Sequence, residues 1–207
     1  MNAEDYLSYI VNQIHSTVVA TVDGSGLPIT CAIDMMDCDS DSLYFLTAKG
    51  KNFYDRLNKQ GYLALTGMKG KDTMSCIAVS VRGKVRELGP GRLSRLFEKN
   101  PYMNDIYPDE KSRTALTVFQ LYEGTGEWFD LSKLPIERAG FSFGGAKTRE
   151  EGYFVTGRCT GCGLCFSRCP QKCIDINTRP AVIFQENCIR CGNCLAVCPE
   201  KAILRKG

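Results

Sequence analysis

The residues best equipped for chemistry are cysteines, and their placement says more than their number. Of the 12, Cys31, Cys38 and Cys76 are scattered over the first 158 residues, and the other nine fall between Cys159 and Cys198. Set one beneath the other, RCTGCGLCFSRCPQKCI (158–174) and NCIRCGNCLAVCPEKAI (187–203) share the pattern C-x2-C-x2-C-x3-C-P and repeat with a period of 29 residues. Such an internal duplication is visible without any second sequence. Three thiolates at i, i+3 and i+6 on a turning loop can hold three corners of one iron–sulfur cubane. In runs of this bacterial type the fourth cysteine leaves the loop and ligates the other cluster. The spacing therefore predicts two [4Fe–4S] centres. Cys159, Cys162, Cys165 and Cys198 belong to one; Cys188, Cys191, Cys194 and Cys169 belong to the other. Pro170 and Pro199 stop the chain from continuing helically through the fourth ligand. Gly161, Gly163 and Gly192 let the backbone turn close to the sulfurs and offer them amide donors.

Two competing uses of these cysteines fit less well. Structural zinc takes two C-x2-C pairs or Cys/His mixtures, not two quartets each followed by proline. A disulfide framework is at odds with an odd count of nine and with the lack of any secretion signal. Cys173 aligns with Ala202 in the duplication, which predicts a small buried position beside a cluster; a ligand role for it stays open. Residues 151–207 carry eight Lys/Arg against four Asp/Glu. Clusters with their thiolates are anionic, so Arg158, Arg168 and Arg190 are either counter-charges or solvated surface. Over roughly residues 150–207 the chain resembles the two-cluster [4Fe–4S] ferredoxin family.

The composition bounds what else is present. A length of 207 residues suits one medium domain plus a small module. With 43% apolar and 24% charged residues the chain reads as globular. A net charge of only +3 argues against a nucleic-acid binder driven by phosphate neutralisation. No apolar run approaches the ~18 residues of a membrane span, and the acidic, amphipathic start is no secretory signal. A reducing cytoplasm is the expected compartment. The single histidine, His15, excludes any mechanism needing several imidazoles and reads as a packed helix-end residue. The shift in composition predicts two domains, 1–145 and 150–207.

The elements of the first domain are mostly strands. Leu7, Ile10, Val11 and Ile14 form one apolar stripe of a first helix. TVVATVD, LPITCAID and SLYFLT read as strands, KGKNFYDRLN as a helix closed by Gly61, and YLALTGM and SCIAVSVRGKVREL as further strands. A helix follows through Leu93, Leu96 and Phe97, and 116–123 with 126–130 reads as a last hairpin. Successive strands with tight turns predict an antiparallel barrel within an α+β chain. No glycine fingerprint opens a helix after a strand, so a Rossmann nicotinamide site is not supported.

The stretch VVATVDGSGLPITCAID…SLYFLTAKGKNFYDRL, with RLFEKNPYMNDIYP downstream, resembles the FMN-binding split-barrel superfamily, the pyridoxamine 5′-phosphate oxidase-like proteins. The resemblance covers roughly residues 5–130. It implies FMN, with Lys49 and Lys51 on the phosphate, Thr47 adding a hydroxyl, and the strand of Thr30, Cys31 and Ala32 along the ring edge. A dianionic phosphate needs the cations and amide donors that a lysine-bearing loop at a helix start supplies. The resemblance also implies a homodimer. The loop AKGKN is poorer in arginine than in true oxidases of the group, so synthesis of pyridoxal phosphate is not expected.

Joined to a ferredoxin, a flavin barrel points to an FMN-dependent reductase, converting one-electron into two-electron transfer towards a small organic acceptor. A redox donor protein would then be a partner. The alternative is a non-catalytic electron carrier docking with another redox enzyme. No side chain stands out as proton donor; Tyr44, Tyr62 and Tyr122 remain open.

Overall fold

The computed structural model describes residues 1–207, which gather into two compact units. The first comprises Met1–Lys69, Ala78–Glu127 and Gly140–Lys147; the second comprises Gly70–Ile77, Trp128–Ala139 and Thr148–Gly207.

The first unit opens with helix α1 (Ala3–Tyr9), capped reciprocally by Asn2 and Asp5. It runs on as a wider turn, Ile10–Ile14, and stops at His15 with φ 66°. Strands β1 (Ser16–Val22), β2 (Pro28–Asp34), β3 (Asp37–Asp39) and β4 (Ser42–Ala48) lead to helix α2 (Asn52–Gln60), which ends on left-handed Gly61. Strands β5 (Tyr62–Lys69) and β6 (Ile77–Gly89) follow, then short helices α3 (Leu93–Lys99), α4 (Met103–Ile106) and α5 (Glu110–Arg113). Strands β7 (Leu116–Asp130) and β8 (Glu137–Phe143) complete one sheet of order β2-β1-β5-β6-β7-β4-β3, with β8 paired to β7. The antiparallel α+β architecture is the one the strand-rich sequence predicts.

Alternation fixes two faces on this sheet. On one, Val19, Leu43, Phe45, Leu65, Phe119 and Leu121 are buried, with the Phe45 and Phe119 rings stacked at 5.8 Å. Each such side chain contributes about 1.5–3 kcal/mol on burial. On the other face of β4 and β7, Tyr44, Leu116 and Val118 pack with Leu96, Phe97 and Met103. Asp37 has a fully buried side chain at the start of β3, held by Arg95 of α3 at 2.6 Å and by Lys99. Burial alone would push its carboxyl up, but the bonds to Arg95 and Lys99 outweigh that and hold it below the usual carboxylate range.

One expected turn is absent. β7 runs unbroken from Leu116 to Asp130 through Gly124 and Gly126, and the hairpin partner is β8. Those glycines mark close approach rather than a bend. A Cβ at Gly124 would come within 2.8 Å of the Phe143 ring, and one at Gly126 would run into the Phe141 ring.

The second unit is small. β9 (Gly152–Val155) leads to helix α6 (Leu164–Arg168); β10 (Ile174–Asp175) pairs with β11 (Val182–Ile183). Helix α7 (Asn193–Val197) follows, and β12 (Ile203–Lys206) returns to pair with β9. Its interior is Tyr153, Ile174, Ala181, Ile183 and Ile203 set among cysteines. So little hydrocarbon leaves much of the interior to whatever those cysteines hold.

Candidate functional site

Each half of the duplication builds the same loop. The backbone is left-handed at Gly161 and Arg190 (φ 78° and 57°), at Gly163 and Gly192 (73° and 82°), and at Lys172 and Lys201 (52° and 46°). Each pair is separated by the period of the repeat. Gly163 and Gly192 immediately precede α6 and α7, so the third cysteine of each run sits on the first turn of a short helix. Beyond it, Cys169 and Cys198 close their helices by donating N–H to Phe166 and Leu195. The chain then turns back: the N–H of Lys172 and of Lys201 returns to the carbonyls of those two cysteines.

The result is two cavities. Cys159, Cys162, Cys165 and Cys198 line one of about 430 Å³, together with Val155, Leu164, Ile176 and Ala202. Cys169, Cys188, Cys191 and Cys194 line another of about 310 Å³, with Tyr153, Ile174, Ile183 and Cys173. All of these cysteines are unbridged. In each cavity, therefore, three cysteines come from one run and the fourth from the other.

The donor set suits an iron–sulfur cube. Four thiols face an apolar pocket, and backbone amides already point at sulfur: Arg190 N–H to Cys188 Sγ at 3.4 Å and Ala202 N–H to Cys198 Sγ at 3.3 Å. Burial pushes the Cys194 thiol up to about 11, with the neighbouring cysteines adding to the effect. A metal that takes this sulfur as thiolate must therefore displace a proton. The arginines are largely spoken for. Arg158 donates to the Lys201 carbonyl at 3.0 Å, Arg179 to the Cys159 carbonyl at 3.2 Å, and Arg190 pairs with Glu151 at 2.9 Å. These bonds tie down the cysteine-bearing loops.

In the first unit the six residues implicated in flavin binding do not fall on one surface. Register sets Thr30 opposite Ala20 and Ala32 opposite Val18, on the exposed face of the β1–β2 ribbon. Cys31 lies opposite fully buried Val19, on the other face. Burial raises the Cys31 thiol, and the charges of Arg56 and Lys51 act on it in the opposite sense. Cys31, Lys51 and Arg56 thus form one neighbourhood. Arg56 also donates to the Thr21 hydroxyl at 2.8 Å.

Lys51 is the extended residue that precedes α2, and no side chain caps that helix. Its first N–H groups therefore remain available. Lys49 and Lys51 are exposed. Thr47 is buried, and its hydroxyl has no hydrogen-bond partner. Opposite it across β4–β7 is Thr117, which donates to Glu87 Oε1 at 2.6 Å; Tyr54 donates to the second oxygen of Glu87 at 3.0 Å. Lysines beside an uncapped helix start suit a phosphate, and an orphaned hydroxyl suits a polar ligand.

Arg56, Thr21, Glu87 and Tyr54 were not singled out from the sequence. Arg56 lies one turn into the helix that the lysine loop opens, and that spacing was the available signal. Glu87 carried none, because its partners come from another strand and from α2. Of the three tyrosines left open, Tyr44 is buried and donates to Asp39 at 2.6 Å, Tyr62 is exposed, and Tyr122 lies under the Arg86 guanidinium at 4.8 Å.

Residues 4–129, more than half of the chain, match the Pyridoxamine 5′-phosphate oxidase family. The chain belongs to this family. Residues 152–199 of this family member match a 4Fe-4S dicluster domain. Together the two matches support iron–sulfur clusters and FMN as the cofactors of this oxidase-family chain. Among curated proteins, none matches it.

Solved structures share the fold of the first part. A NimC/NimA family protein from Clostridium acetobutylicum aligns with a TM-score of 0.55 at 14% identity, over 68% of this chain and 92% of that one. A protein from the same organism related to general stress protein 26, of the pyridoxinephosphate oxidase family, gives 0.51 at 18% identity, over 67% and 94%. A heme binding protein from Mycobacterium smegmatis gives 0.52 at 11% identity, over 67% and 58%.

Proposed function

We propose that this protein is an FMN-dependent reductase with its own ferredoxin. In this reading Cys159, Cys162, Cys165 and Cys198 hold one [4Fe–4S] cluster, and Cys188, Cys191, Cys194 and Cys169 hold the second. The observation that carries it is the pair of four-cysteine cavities, each completed by the other run, on a chain whose first part is an oxidase-family barrel. When bound, the clusters supply one-electron transfer and the flavin supplies its conversion to two-electron chemistry on a small organic acceptor.

The chain's own residues do the holding. The amides of Arg190 and Ala202 donate to the cysteine sulfurs of Cys188 and Cys198. Lys49, Lys51 and the uncapped start of α2 bind the flavin phosphate, with Arg56 and Thr47 nearby in the fold. Cys31 and the backbone of β2 border the ring, while Thr30 and Ala32 face outward. That outward face also carries exposed Val18, Val22, Tyr62 and Met68. A homodimer through it completes the flavin site in this reading, since an apolar face of this kind is covered when a partner is present. The compartment is a reducing cytoplasm, and the electron donor is a redox protein.

Cysteine substitutions test the assignment. Cys159→Ala and Cys198→Ala should abolish the same cluster, and Cys188→Ala and Cys169→Ala the other, read from iron content and the electron paramagnetic resonance signal of the anaerobically reduced protein. Pairing by sequence proximity instead, with Cys169→Ala matching Cys159→Ala, would contradict it. An anaerobic preparation without iron would dismiss the whole reading.

A further inference from the structure

The two cluster cavities are built by one repeated sequence, and one of the positions at which the copies differ carries a sulfur in only one of them. Cys173 follows Cys169 by four residues, and Ala202 follows Cys198 by the same interval. Both are nearly fully buried, at 4% and 1% exposure. Ala202 presents a methyl group to the first cavity. Cys173 presents a sulfur to the second, 3.6 Å from Cys169 Sγ. Either sulfur could donate in the protein without metal. Once Cys169 binds iron it has no proton, so the only donor left in this pair is the Cys173 thiol.

We propose that Cys173 donates an S–H···S hydrogen bond to the ligand sulfur of Cys169 and thereby makes the second cluster easier to reduce than the first. This rests on the assignment of Cys169 to that cluster. A donor aimed at a ligand sulfur favours the more negatively charged, reduced state, and hydrogen bonds to sulfur are among the factors that set cluster potentials. Buried surroundings strengthen it, because no water competes for the sulfur. Cys173 is a positioning residue here, acting through Cys169 and not as a ligand. The duplication supplies the control: a methyl group stands where the thiol would be in the first half.

The test is a redox titration of the loaded full-length protein with dithionite, followed by electron paramagnetic resonance, alongside iron analysis. Wild type should show two separated midpoints. Cys173→Ala should keep its iron and lower the higher midpoint, by about tenfold in the reduction equilibrium, or ~59 mV for one electron. Cys173→Ser, which retains a donor, should recover part of the shift. Ala202→Cys should raise the other midpoint. Unchanged midpoints in Cys173→Ala with full iron would overturn the proposal, as would loss of one cluster from that variant, which would make Cys173 a ligand. Wild-type protein lacking either cluster would instead remove the assignment of Cys169 on which the proposal stands.

Discussion

At Thr47 a buried hydroxyl finds no partner inside the protein, and that is costly. An unsatisfied buried polar group destabilises by about 1–3 kcal/mol. Thr47→Val keeps the shape and removes the orphan, so the flavin-free protein should gain about 1 kcal/mol in denaturant unfolding. FMN should bind several-fold more weakly in a fluorescence titration. A variant that neither gains stability nor loses affinity would separate Thr47 from the flavin. The cysteines make the opposite case. Their grouping follows from spacing along the two runs, and each cavity collects the four sulfurs that spacing predicts. Glu87 escaped notice because no local pattern marks a residue whose partners lie 30 and 33 positions away.

Elements show where local reading stops. Strands β1, β2, β4, β5 and β6 follow from alternation and turn chemistry, and Gly61 with φ 62° ends α2 as a left-handed cap, whereas Asp37–Asp39, polar enough to read as part of a turn, pairs with β4 as β3. Gly124 and Gly126 read as a turn because glycine usually signals one, but here they make room for the Phe143 and Phe141 rings on the facing strand. That use of glycine depends on residues 19 and 15 positions later, so the pattern around it is silent. The tie between β3 and α3 is likewise non-local. Asp37→Asn removes the charge that Arg95 and Lys99 grip and should cost about 2–3 kcal/mol at pH 7. The folded carboxyl lies below its unfolded value near 3.9. Its contribution is therefore complete above that value and is lost as pH falls through the lower folded one. The stability gap between wild type and Asp37→Asn should shrink below about pH 4 in urea titrations; a gap independent of pH would contradict the ion-pair account.

For the whole molecule, the exposed apolar residues on the outer face of β1, β2 and β5 are the feature that asks for a partner. Val18 is 54% exposed and Met68 63%. Val18→Lys adds a charge to that face without touching the interior. It should convert a dimer to a monomer in sedimentation equilibrium and weaken FMN binding, while leaving both clusters in place. A variant that stays dimeric would move the interface elsewhere. The division into barrel and cluster module was legible from cysteine density alone. What the composition did not reveal is that 70–77 and 128–139, both well before Cys159, group with the cysteine-rich unit.

The proposed function requires electrons to pass between the clusters and a flavin within this chain. Anaerobic reduction of the fully loaded protein, followed by absorbance in a stopped-flow instrument, addresses this directly. The flavin band should bleach together with the cluster band in wild type, and far more slowly in Cys159→Ala/Cys188→Ala. Clusters that reduce fully while the bound flavin stays oxidised would contradict it.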